Sequence, residues 1–300
     1  MASGEGEATL VQPVRRRWRV RITVLGLLGL VALAAIALFF SRRYLSPTEE
    51  RPAIVASFKK VAPVADGVIN KEEYGPPVTM TWSEGNTLAA FHHYLQDPAT
   101  QRFFEDPTRS KQPDDLSMEV YAAYTDQSLF LAFRVHDQFI DAQPDEQRPE
   151  FNDGVEVFID GDGVPNDFDP MDPVLGDVRG SKESFQIGGN AAGQQSTKSQ
   201  DFTNADWKSV AKRTGDGYIV EMEIPLALID TRDGPAFAPP GPGSLLNLGL
   251  AVTDNDAEVH KQLSYAYLRT AKQTTSPWAG GERAWNFAIK LEPRWSLLPW

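Results

Sequence analysis

Residues 160–177 read DGDGVPNDFDPMDPVLGD, which places six Asp, three Gly and three Pro in one short stretch. Calcium takes roughly six to eight hard oxygen ligands from flexible chain. Asp160, Asp162, Asn166, Asp167, Asp169 and Asp172 supply such oxygens at high density. The expected ion is structural calcium, with Asp160, Asp162, Asp167 and Asp169 as candidate ligands. The spacing is not that of an EF-hand, because Val164 stands at the fifth position and no Glu closes the loop. A solvated acidic loop is the alternative reading of the same residues.

Other chemistries fail on residue type or spacing. The chain has no cysteine, which excludes disulfides, thiol nucleophiles, thiolate zinc sites and iron–sulfur clusters. Its histidines, His92, His93, His136 and His260, form no H-E-x-x-H or comparable pattern. There is no G-x-S-x-G elbow, P-loop or dinucleotide fingerprint, and GGNAAG at 188–193 lacks the required glycine spacing. Paired carboxylates hydrolyse glycosides, but no pair stands out among the many acids. The expectation is a protein that is not an enzyme. A formal charge of −12 over 300 residues disfavours phosphate backbones, so nucleic acid is not an expected partner.

The elements that position these residues begin with a hydrophobic run. Residues 22–40, ITVLGLLGLVALAAIALFF, carry no charge and span about 28 Å as a helix, close to a bilayer core. Arg15, Arg16, Arg17, Arg19 and Arg21 precede the run, and only Arg42 and Arg43 follow it closely. The positive-inside rule therefore places residues 1–21 in the cytoplasm and the rest outside. Trp18 and Tyr44 sit where interfacial aromatics belong. The run is long for a signal peptide and lacks an A-x-A-like cleavage site. We expect an uncleaved single-pass anchor in the cytoplasmic membrane, with the C-terminal domain extracytoplasmic, periplasmic if the source is bacterial. Residues 44–300 hold 22 basic against 39 acidic side chains, a formal −17. Residues 41–57, with the turn-forming SPTEERPA at 46–53, read as a tether.

Beyond the tether, short alternating apolar runs are separated by Gly, Pro, Asn and Asp clusters, the pattern of an all-β domain. Strands are predicted at 118–124, 129–136, 154–160, 184–188, 207–214, 217–225, 245–254 and 285–291. In GYIVEMEIP, Ile219, Glu221 and Glu223 fall on one face, and Val220, Met222 and Ile224 on the other. Within residues 83–117, Leu88, Phe91, His92 and Leu95 have helical spacing, so a short helical insertion is expected there.

Several blocks together resemble a known family. They are DGVINKEEY at 66–74, SLFLAFRVHD at 128–137, FNDGVEVFIDGDG at 151–163, GYIVEMEIPLALI at 217–229 and LNLGLAVTDND at 246–256, followed by SPW and WNFAIKL up to Leu291. In this order they resemble the family 9 carbohydrate-binding modules over residues 58–292. The resemblance implies a β-sandwich of two antiparallel sheets, jelly-roll-like, followed by a C-terminal tail at 293–300. It also implies a sugar held between two aromatic platforms, with polar strand residues beneath. Aromatic faces suit sugars because axial C–H groups pack on the ring while hydroxyls reach polar neighbours.

The resemblance assigns one platform to Trp278. At the other platform this chain has Phe151 and no Trp. Glu156 matches a polar sugar contact, and Gln186 stands where Arg is expected. Each residue has a plainer reading. Trp278 and Phe151 can pack, Trp207 and Trp285 read as core, and Glu156, opposite Val155 and Val157, fits a solvated position. Relatives in the family carry calcium, which joins the argument for the acidic loop.

The expected function is reversible, non-catalytic binding of an oligo- or polysaccharide by a membrane-anchored module. Two alternatives stay open. Related sandwich domains bind haem b for electron transfer, and Met80, Met118, Met171, Met222 and the histidines offer axial ligands. A protein-interaction module using residues 83–117 as its contact surface is the other.

Overall fold

Two-residue alternation dominates the longest apolar runs, and chains of that pattern bury one face of each strand against a second layer. The computed structural model describes residues 53–80, 90–96, 103–105, 116–143, 152–161, 184–199, 201–232, 236–255, 264–269 and 287–293. The strands among them are β1 (Ala53–Phe58), β2 (Val78–Met80), β3 (Ala90–Gln96), β4 (Phe103–Glu105), β5 (Leu116–Tyr124), β6 (Ser128–Asp137) and β7 (Gly154–Asp160). They continue with β8 (Ser184–Asn190), β9 (Gln195–Lys198), β10 (Lys208–Arg213), β11 (Gly217–Pro225), β12 (Leu245–Asp254), β13 (Ser264–Arg269) and β14 (Phe287–Leu291). Among the described residues, helix is confined to one turn, α1 (Lys71–Tyr74), and a 3-10 turn at Leu226–Leu228.

Hydrogen bonding runs continuously through the order β10-β11-β6-β5-β1-β14-β12-β13-β3-β4, with β2 on β5 and the ladder β12-β7-β8-β9 branching off. The first strand joins the two halves. Ala53–Ala56 pair with Ala288–Leu291 of β14, and Ser57 and Phe58 pair with Ala123 and Tyr124 of β5, both in parallel. One layer is thus the β5–β6 sheet and the other the β7–β12 sheet. The remaining strand pairs are antiparallel.

The inner faces of the two layers meet in one core. It joins Val120, Leu131, Phe133, Val220 and Met222 of the first sheet to Val157, Ile187, Leu248, Leu250 and Ile289 of the second. Contact is close: a Cβ added at Gly189 of β8 would lie 2.9 Å from Val220 Cγ1 and 2.4 Å from Ser209 Oγ. Burying each large aliphatic or aromatic side chain here contributes about 1.5–3 kcal/mol. Met118 and Met222 are among these core residues, the ordinary place for a flexible thioether. Trp207 is buried there too, as expected, and its indole Nε1 donates to Thr197 Oγ1 at 2.8 Å.

A smaller core covers the outer face of the β5–β6 sheet. Ile69 and Tyr74 of the DGVINKEEY block pack there on Tyr121, Phe130, Ala132 and Ile219. Glu221, fully buried, closes this layer. Its Oε2 accepts the amides of Asp66 at 3.0 Å and Gly67 at 2.6 Å, and its Oε1 accepts the Tyr74 hydroxyl at 2.8 Å. Gly67 has φ of 77°, a left-handed conformation that glycine adopts freely. The turn of α1 is capped by Asn70, whose Oδ1 accepts the Glu72 amide at 3.0 Å.

Two expectations are corrected. Part of the predicted helical insertion is strand: β3 pairs along its length with β13 and, at its end, with β4. Its sequence AFHHYLQ is rich in aromatics that suit a pleated surface, and sheet pairing overrides a short helical spacing. The tether cannot extend to residue 57, because β1 begins at Ala53, with Ile54 and Ala56 buried and Ala53 and Val55 exposed. No helix among the described residues is long and apolar enough to cross a membrane; the expected anchor at 22–40 lies outside the described residues.

Candidate functional site

The outer face of the β7–β12 sheet is polar where the inner face is aliphatic. On β7 the alternation sends Val155, Val157 and Ile159 to the core and leaves Gly154, Glu156, Phe158 and Asp160 on the other side. Register places Glu156 between Gly188 of β8 and Ala251 of β12, and Phe158 between Gln186 and Gly249. Small neighbours on both sides of Glu156 leave a shallow, half-open depression, lined by Asn152, Gly154, Glu156, Gly188, Ser196 and Thr253 among others.

One wall of this depression is built from carboxamides. Gln194 Oε1 accepts from Asn152 Nδ2 at 2.9 Å and from Asn190 Nδ2 at 2.8 Å, and the Gln194 amide donates to Asn190 Oδ1 at 2.8 Å. Asn152 also exchanges two bonds with the backbone of Gln143, at 2.9 and 2.8 Å. The hairpin between β8 and β9 is thereby tied to the segment ahead of β7. Side chains fixed in this way meet a ligand without further ordering cost.

The structure brings Glu156 and Gln186 to the same face on adjacent strands, as diagonal neighbours. Glu156 is 4% exposed and Gln186 is 2% exposed. The solvated reading of Glu156 is therefore corrected: its carboxylate is enclosed. Gln186 Oε1 is buried with no hydrogen-bond partner among the described residues, an arrangement that costs stability unless something pairs with it. Trp278 and Phe151 lie outside the described residues.

The expected calcium ligands fare differently. Asp162, Asp167 and Asp169 lie outside the described residues. Asp160 ends β7, buried, with its Oδ2 accepting from Asn247 Nδ2 at 2.8 Å. The carboxylates that do converge are others. Asp137 closes β6, Asp153 precedes β7 and Asp254 closes β12, all three are buried, and their nearest carboxylate oxygens lie within 4.8 Å of one another. Asp160 stands at the opposite end of β7, about 20 Å away along the strand. Sequence reading missed this group, although RVHD, FNDG and VTDND each mark a strand end with Asp.

Backbone amides already serve part of the cluster. Asp153 Oδ1 accepts the Asn255 amide and Oδ2 the Asp141 amide, each at 2.5 Å, and Asp137 Oδ1 accepts the Phe139 amide at 2.9 Å. Burial, then the charges of Asp137 and Asp254, push the Asp153 carboxyl well above the usual carboxylate range. The Tyr218 hydroxyl is fully buried and has no hydrogen-bond partner among the described residues. Burial, then these same three carboxylates, push it upward as well. Buried like charges at this range repel unless protonated or bridged by a cation. The donors are all hard oxygens, which fits calcium.

No curated protein matches the chain. Among solved structures it is similar to a family 9 carbohydrate-binding module from Caldicellulosiruptor kristjanssonii in complex with cellotriose, at 15% identity and a TM-score of 0.48, over 83% of this chain and 98% of that one. The Caldicellulosiruptor module in complex with glucose gives 15% identity and a TM-score of 0.46, over 82% and 98%. The family described as carbohydrate family 9 binding domain-like matches residues 85–282. A match over that much of the chain means that it belongs to the carbohydrate family 9 binding domain-like family.

Proposed function

We propose that the domain binds carbohydrate reversibly, without catalysis, on the outer face of the β7–β12 sheet. The observation that carries this reading is the enclosed Glu156 carboxylate in a depression walled by fixed carboxamides. Such groups match sugar hydroxyls, which both donate and accept. Trp278 supplies the aromatic platform in this reading. Asp137, Asp153 and Asp254 hold a structural calcium ion beside the site, and residues 22–40 anchor the module to the cytoplasmic membrane with the domain outside. The test is retention of the full chain on an oligosaccharide array that includes cellotriose and glucose. Selective retention supports the reading, and no retention on any member overturns it.

A further inference from the structure

The two glycines in the middle of β8 have different structural roles. Gly189 faces the core, where a Cβ would strike Ser209 Oγ and Val220 Cγ1, so packing explains it. Gly188 faces outward into the depression beside Glu156. Its φ lies outside the left-handed region, so the backbone does not require glycine there. Glycine within a strand lowers stability and often marks a close approach by something else.

The space above Gly188 is specific. A Cβ there would lie 2.6 Å from Ser196 Oγ, 3.5 Å from the Val155 carbonyl oxygen and 3.7 Å from Glu156 Cγ. The one tight contact is the end of a serine side chain, free to turn away. Gly154, also lining the depression, differs, because its added Cβ would meet Asn190 Cα at 2.8 Å, and backbone does not yield cheaply. Gly188 is therefore the lining position where a side chain fits the fold and still fills the cavity. The enclosed room beside Gly188 is only about 10 Å³, enough for one water, so one methyl fills most of it and reaches whatever lies above.

We propose that Gly188 is a specificity-determining residue: it forms the floor on which a neutral sugar ring sits beside the Glu156 carboxylate. This rests on the carbohydrate reading of the same face. A ring lying on bare backbone brings its hydroxyls to Glu156, Ser196 and the carboxamide wall, and a methyl at the floor lifts them away.

The experiment uses the full chain as wild type, Gly188→Ala, Gly188→Val and Gly215→Ala, the last a control whose added Cβ meets nothing within 4 Å. Binding is measured by calorimetry with cellotriose and on an array of neutral oligosaccharides, and folding by thermal melting. Gly188→Ala is expected to melt at or above the wild-type temperature and to bind about tenfold or more weakly. Gly188→Val is expected to lose binding, and Gly215→Ala to keep it. Wild-type affinity in Gly188→Ala overturns the floor assignment and leaves the carbohydrate reading standing. Loss of folding in Gly188→Ala also overturns it, by showing that the glycine serves the strand. A wild-type chain that binds no member of the array removes both readings together.

Discussion

The Tyr74 hydroxyl donates to Glu221 Oε1 over 2.8 Å, joining residues 147 positions apart. The same carboxylate gathers the amides of Asp66 and Gly67, so one side chain of β11 fastens the whole DGVINKEEY block to the sheet. A buried charge is tolerated where several donors replace its water.

Tyr74→Phe removes one donor and leaves Oε1 short of a partner. The expected loss is about 1.5–3 kcal/mol of unfolding free energy, read from urea denaturation. Ligand retention should not change, because this block covers the outer face of the other sheet. A loss of no more than a few tenths of a kcal/mol would show that the bond is immaterial.

Alkali should unfold the domain through its enclosed tyrosines. Burial first, then the Glu221 charge, raise the Tyr74 hydroxyl, and burial with a hydrogen bond to Glu119 pushes Tyr121 up to about 12. Free tyrosine titrates near 10. A folded pKa above the unfolded one means that the stability is fully present below pH ~10 and is lost as pH rises through the folded values. Stability measured from pH 9 to 12 should fall, and the fall should be shallower in Tyr74→Phe. An unchanged slope in that variant would exclude Tyr74 as a contributor.

Chelator should lower the melting temperature, and calcium should restore it. At about a hundred times the dissociation constant, an ion bound only to the folded state adds roughly 2.7 kcal/mol. Asp254→Asn removes one of three mutually repelling carboxylates. It is expected to raise the stability of the chelated protein and to abolish the calcium increment. An undiminished calcium response in Asp254→Asn would place the ion elsewhere.

On the proposed binding face, Glu156→Gln keeps the shape of the side chain and removes its charge. Charge-assisted hydrogen bonds to sugar hydroxyls weaken accordingly, and affinity should fall by about 1.5 kcal/mol or more. Trp278→Ala should cost about 2 kcal/mol or more, as aromatic anchors do. Calorimetry with a retained oligosaccharide checks both, and wild-type affinity in either variant removes that residue from the site.

Much of the sandwich was legible because its strands alternate cleanly. The spans of β7, β11 and β12 agree with the sequence expectation at both ends, and each is bounded by Gly, Pro or Asp. The first strand was obscured by Pro52 and the charges before it, although AIVASF alternates as a half-buried strand should. For β3, Phe91, His92 and Leu95 satisfy a helical period in a short window, and only the distant partner β13 decides between helix and sheet. Local pattern placed Glu221 on the outward face correctly. It gave no sign that Asp66, Gly67 and Tyr74 enclose it. The cluster of Asp137, Asp153 and Asp254 was hidden for a related reason: antiparallel pairing of β12 with β7 brings 153 and 254 together, and spacing along the chain does not encode that pairing.

The double pairing of β1 also bears on how the domain carries mechanical load. Tension on the chain ahead of Ala53 enters a strand held by β14 over four residue pairs and by β5 over two more, both parallel. Pulled along its axis, such a strand loads its ladders in shear, so the bonds resist together instead of opening one after another as in a peeled hairpin. Force arriving ahead of Ala53 is shared at once between both layers of the sandwich, and reaches β7 only through β14 and β12.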